Sequence, residues 1–137
     1  MAQAASAVVP SEIDLLDKRS RQRAIRAIRS LPFNSRFYAD AKAGGLNAES
    51  VFARASDHQL EAAGWFHNAE ALEASFRWLI TLGVLRREVD GQGLTARIRL
   101  TPLGRQLLDA NPELPNQRAS PIDRIRDRLR RHWPALP

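Results

Sequence analysis

The stretch AEALEASFRWLITLGVLRREVDGQGLTARIRLTPLGRQLL, Ala69 to Leu108, decides the fold. Its apolar residues first recur near the helical period, with Leu72, Phe76 and Leu79 on one stripe, and predict a helix that stops at Gly83. From Val84 the period changes. Strand-like segments at 84–89 and 94–100 flank Asp90-Gly91-Gln92-Gly93, a glycine-rich turn that predicts a hairpin. In the second segment Leu94, Ala96, Ile98 and Leu100 alternate with Thr95, Arg97 and Arg99, so the apolar set is expected inward and both Arg side chains in solvent. Thr101 then caps another helix with Pro102 at its first position, and Asn111-Pro112 ends it. Leu72, Phe76, Leu79, Leu85, Ile98, Leu100 and Leu107 are the expected core of this unit.

Helix, strand, wing, strand, helix is the order of the second half of a winged helix. LGVLRREVDGQG followed by RIRLTPLGRQLL resembles the LGLL(E/R)RE, wing and LTPLG pattern of winged-helix transcription regulators. It is also similar to the winged-helix dimerisation domain of small-molecule O-methyltransferases and to small uncharacterised winged-helix-like proteins of cyanobacterial genomes. The resemblance runs from Ser56 to Asp109 and implies a fold more than a function. It does not extend to methyl transfer, because such enzymes carry a separate cofactor-binding domain for which this chain has neither the length nor a G-x-G-x-x-G loop.

Upstream, residues 1–10 read as a flexible tail, and Ser11 can cap a helix that stops before Pro32. On a helical wheel Ile13, Leu16, Ala24, Ala27, Ile28 and Leu31 share one side, with Lys18, Arg19, Arg23, Arg26 and Arg29 on the other. Phe33 to Ala43 is expected to be a short helix ending at Gly44-Gly45, and Asn47 to cap Ala48 to Ala55. Ser56-Asp57-His58-Gln59 fits a capping box for a short helix running to Ala63, ended at Gly64. Gly64-Trp65-Phe66-His67 joins it to the helix that Asn68 caps, which has the build of a helix-turn-helix. Downstream, 111–120 reads as a linker and 121–137 as a basic amphipathic helix. There Ile122, Ile125, Leu129 and Trp133 lie on one side, and Arg124, Arg128 and Arg131 on the other. The expected fold class is mainly α with a small β-hairpin: a winged-helix domain over 11–110 with extra N-terminal and C-terminal helices.

Composition sets the chemistry. With 137 residues and 44% hydrophobic content, the chain suits one compact core. The net charge is +6, and of the twenty-one basic residues only Lys18 and Lys42 are not arginine. A surplus of forked guanidinium groups suits phosphate and carboxylate partners. There is no cysteine, so disulfides, thiol nucleophiles and Cys-ligated zinc are excluded together, which is compatible with a reducing cytoplasm. His58, His67 and His132 lack metal-ligand spacing and read as surface or capping residues. No enzyme, metal or cofactor is expected. The start carries no basic leader and no apolar run long enough to span a bilayer, so a cytoplasmic protein is expected.

Nucleic-acid binding has the better physical case. Three basic surfaces offer phosphate contacts: the first helix with Arg19, Arg23 and Arg26, the wing with Arg86, Arg87, Arg97 and Arg99, and the last helix. Asn68 and Arg77 would lie nearest the bases, next to Glu70 and Glu73. Those two carboxylates oppose phosphate approach and count against sequence-specific reading. The expectation is a DNA-binding basic protein acting in transcription regulation, with duplex DNA as partner and a homodimer as a possible state. The alternative is a winged-helix interaction module that binds an acidic protein partner without nucleic acid. Trp78 and Ile80 fall off the Leu72 stripe, which suggests a second packing surface from the C-terminal helix or another subunit. An anionic membrane surface under the C-terminal helix is the least favoured partner.

Overall fold

The computed structural model describes residues 12–61 and 64–132; among these the side chains of Ile13 and Asp14 are not described. The expected tail at 1–10, the Ser11 cap, the inward face of Ile13, the helix end at Ala63 and the place of Trp133 lie outside the described residues. Among the described residues the chain is mainly α-helical with a small antiparallel hairpin. The helices are α1 (Glu12–Ser30), α2 (Ser35–Ala43), α3 (Ala48–Ala53), α4 (Ala55–His58), α5 (Ala69–Thr81), α6 (Pro102–Ala110) and α7 (Pro121–His132). Strands β1 (Leu85–Asp90) and β2 (Gly93–Leu100) form the hairpin between α5 and α6, and a 3-10 turn covers Leu114–Asn116.

Local chemistry explains most of the boundaries. Asn34, Asn47, Asn68 and Thr101 sit in extended backbone and each accepts from an amide inside the following helix, satisfying donors that the first turn leaves unpaired. Asp90 Oδ1 accepts from the Gln92 amide at 2.8 Å and tightens the hairpin turn. In the ladder Arg87 faces Ile98 but Val89 faces Leu94, so Thr95 to Arg97 bulge opposite Glu88. The Thr95 hydroxyl donates to the Glu88 carbonyl at 3.0 Å and accepts from the Arg97 amide at 3.2 Å, holding the bulge together.

All seven of the expected core residues around the hairpin are buried, and they join Ala24, Ala27 and Ile28 of α1 and Leu31 just after it. A stack of rings fills the other side: Phe33 lies 4.0 Å from Phe37, with Phe66, Phe76 and Trp65 around it.

Several expectations are corrected. Leu16 is 60% exposed because the first half of α1 extends past the core. The Ser56 capping box does not form: the turn already starts at Ala55 behind α3, and it stops at His58 because Gln59 pairs in a bridge with Phe33. His58 is not a surface residue. Only 1% exposed, it makes a 2.8 Å hydrogen bond with Asp40 through Nε2. Leu94, at 76% exposed, and Ala96 do not face the core, since the outer half of the hairpin reaches beyond the body it stems from. The 111–120 segment is not a free linker. Leu114, Pro115 and Ala119 are buried, the Arg29 guanidinium donates to the Gln117 carbonyl at 2.7 Å, and Arg118 donates to the Leu31 carbonyl at 2.6 Å.

Helix α7 does not bury its apolar stripe. Ile122 and Ile125 are 68% and 57% exposed, while Asp127 is the buried residue of the helix. Asp127 accepts from the Trp78 indole at 3.1 Å and pairs with Arg131 at 3.4 Å, so α7 is the second packing surface that Trp78 called for.

Candidate nucleic-acid interface

The basic residues divide into two regions with opposite fates. The first is the seam between α1 and α7. The Ala119 amide donates to the Arg29 carbonyl at 3.0 Å, Asp123 lies 3.8 Å from Arg26, and Arg130 reaches the stretch from Arg19 to Arg26. Helix α7 therefore runs back along α1 in the opposite direction. Between them lies an open groove of about 370 Å³ lined by Arg19, Gln22, Arg23, Arg26 and Arg130. Among the described residues the only ion pair any of these four arginines makes is Arg26 with Asp123. Burial lowers the Arg130 pKa below its ordinary value, and the charges of Arg23, Arg26 and Arg126 push the same way against Asp127. Like charges crowded into a partly desolvated seam repel one another, and an anion in the groove relieves that repulsion.

The hairpin is the second region, and two of its four arginines, Arg87 and Arg97, are already ion-paired. Arg87 donates to Glu73 at 3.2 Å and to the Ala96 carbonyl at 3.0 Å. Arg97 lies 3.6 Å from Glu88 and 4.0 Å from Asp90. Arg99 packs over Gly44, where an added Cβ would stand 2.5 Å from its Nη2 and 2.8 Å from Glu88 Oε1; Gly44 has φ +90°, which suits only glycine. Arg97 keeps 42% of its side chain in solvent, as its strand alternation implies, whereas Arg99 is half-buried. Arg86 is exposed, opposite Arg99 in the register, and forms no ion pair among the described residues.

On α5, Asn68 Oδ1 accepts from the Ala71 amide at 2.8 Å, so this side chain serves as a cap. Arg77 is 60% exposed and lies 3.4 Å from Glu73, which thus pairs with both Arg77 and Arg87. A groove of about 430 Å³ between α3, α5 and the hairpin has Glu49, Glu70 and Glu73 in its lining against Arg87 alone. The structure therefore brings Arg19, Arg23 and Arg26 together, puts Arg87 in the acid-lined groove with Arg77 paired to its Glu73, holds Asn68 in a cap, and leaves Arg86, Arg97 and Arg99 elsewhere on the hairpin.

Sequence reasoning missed Arg130 and Asp127. A signal for Asp127 exists: it stands four residues before Arg131 in a helix dense with arginine, the spacing of an ion pair along one helix face. Among the described residues no group of three His, Cys, Asp or Glu could hold a metal ion, and no helix is long and apolar enough to cross a membrane.

A family model described as Npun_F0494-like matches residues 15–131, which fits the similarity to a small uncharacterised family. The chain belongs to the Npun_F0494-like family. No curated protein and no solved structure matches it.

Proposed function

We propose that this member of the Npun_F0494-like family is a winged-helix protein that binds duplex DNA through its phosphates, with the α1 and α7 seam as the main contact. The element order of α4, α5, hairpin and α6 supports the winged-helix reading. The observation that carries the partner is the groove in which Arg19, Arg23, Arg26 and Arg130 meet with a single carboxylate partner. Base reading by α5 is weak on this proposal, because Asn68 is held in a cap and Glu70 and Glu73 flank the groove beside it. The protein then acts as a cytoplasmic binding protein in transcription regulation, not as an enzyme.

The test is fluorescence anisotropy with duplexes of unrelated sequence over a salt series. Binding should weaken as salt rises, and Arg23→Ala with Arg130→Ala should reduce the slope of log K against log salt by roughly two units for every duplex. Arg97→Ala with Arg99→Ala should change it less, because Arg97 is ion-paired with Glu88 and Asp90 and Arg99 packs half-buried against Gly44. No salt-dependent binding at low ionic strength rejects the DNA reading. The acid-lined groove between α3, α5 and the hairpin opposes phosphate there and supports the second reading, a winged-helix interaction module without nucleic acid, only if its acidic partner docks on the α1 and α7 arginines instead.

A further inference from the structure

A separate cavity of about 210 Å³ opens on the face formed by α2, the end of β2 and α6. Its wall is apolar where Leu100, Leu108 and Pro115 meet the Tyr38 ring, and at its edge the exposed Lys42 and Arg105 outnumber Asp109. Tyr38 is 2% exposed, and its hydroxyl has no hydrogen-bond partner among the described residues. A buried hydroxyl without a partner has lost its water and gained nothing in exchange, so Tyr38 gives the cavity its ring and not its hydroxyl. Burial raises the phenol pKa against the pull of Arg118, so the group stays uncharged.

We propose that this cavity binds a small carboxylic acid with an apolar body, the carboxylate held by Lys42 and Arg105 and the body seated on Leu100, Leu108 and Pro115 beside Tyr38. Size narrows the class. The space exceeds the roughly 150 Å³ that accepts benzene and falls short of the roughly 300 Å³ at which drug-sized pockets begin, so an aromatic or short-chain acid fits. Charge selects the anion, since a planar guanidinium takes a carboxylate through two parallel hydrogen bonds. The site lies away from the α1 and α7 groove and stands whether or not the chain binds DNA.

The experiment titrates the full chain with benzoate and hexanoate, with benzyl alcohol and benzylamine as neutral and cationic controls, followed by amide NMR shifts and the thermal midpoint. At least one acid should shift Lys42, Leu100, Arg105 and Leu108 and raise the midpoint, binding at least about tenfold more tightly than benzyl alcohol, while benzylamine does not bind. Arg105→Ala should weaken that acid by about fivefold or more and leave benzyl alcohol unchanged. Tyr38→Phe should fold with equal or higher stability, because it removes an unpaired hydroxyl, and should leave the acid's affinity unchanged, because the ring that forms the wall is kept. No response to either acid at millimolar concentration overturns the proposal. So does equal binding of acid and alcohol, or an acid affinity that Arg105→Ala does not change.

Discussion

Arg87 on β1 closes onto Glu73 on α5, donating to its Oε1 at 3.2 Å while also donating to the Ala96 carbonyl across the hairpin. Both side chains are less than a quarter exposed, at 18% and 23%. One guanidinium thus ties α5, β1 and β2 together. The same contact removes Arg87 from the charge available to a phosphate and removes Glu73 from the charge that would repel one.

Glu73→Gln should therefore have two effects. Losing the shared partner of Arg77 and Arg87 should cost about 1 kcal/mol in urea denaturation, a modest figure because solvent reaches both partners. Combined with Glu70→Gln it should tighten duplex binding in the anisotropy assay, since two carboxylates leave the groove and two arginines are released. Unchanged affinity would show that the α5 face does not approach the nucleic acid.

Leu79→Ala tests the core. The side chain is fully buried among Leu72, Phe76 and the hairpin residues, so the expected loss is about 2 to 5 kcal/mol by cavity formation. A loss below about 1 kcal/mol by chemical denaturation would contradict that burial.

Gly104→Ala tests the join of hairpin and α6. A Cβ there would meet the Val84 carbonyl oxygen at 2.7 Å and Leu100 Cδ1 at 2.7 Å. Alanine normally favours a helix over glycine by about 1 kcal/mol. Here overpacking should win, giving a net loss of about 1 to 3 kcal/mol in thermal or urea unfolding.

Asp127 makes the seating of α7 depend on pH. Burial raises its pKa above the ordinary 3.8, against the Trp78 hydrogen bond and the charges of Arg131 and Arg26. A raised carboxyl pKa means the folded chain carries a penalty for the charge at neutral pH. That penalty fades as pH falls through the raised value toward 3.8, the reverse of an ordinary salt-bridged carboxylate. The stability of wild type relative to Asp127→Asn should accordingly rise on acidification over that window, read by urea titrations with Trp fluorescence. A difference independent of pH would place Asp127 outside the buried seam.

Ile125→Ser addresses the outward stripe of α7. At 57% exposure the side chain contributes little to the fold, so stability should change by no more than about 0.5 kcal/mol. A larger loss in dilute solution would mean that the stripe packs inward.

The sequence alone determined what depends on neighbours a few residues apart. Asn47, Asn68 and Thr101 cap the helices they precede, Asp90 to Gly93 turns the hairpin, and the Leu72, Phe76 and Leu79 stripe faces the core. Each of these follows from hydrogen bonds and periodicity written within one or two turns of chain. Tertiary structure decided which charges remain available. Whether Arg87 meets Glu73, whether Asp127 or the Ile122 stripe of α7 faces inward, and whether His58 reaches Asp40 all depend on which surfaces meet across long separations. Local propensity carries no term for such meetings. An ion pair forms only where packing brings two side chains within about 4 Å, and for that reason the α1 and α7 groove, with Arg130 in it, became visible only in the folded chain.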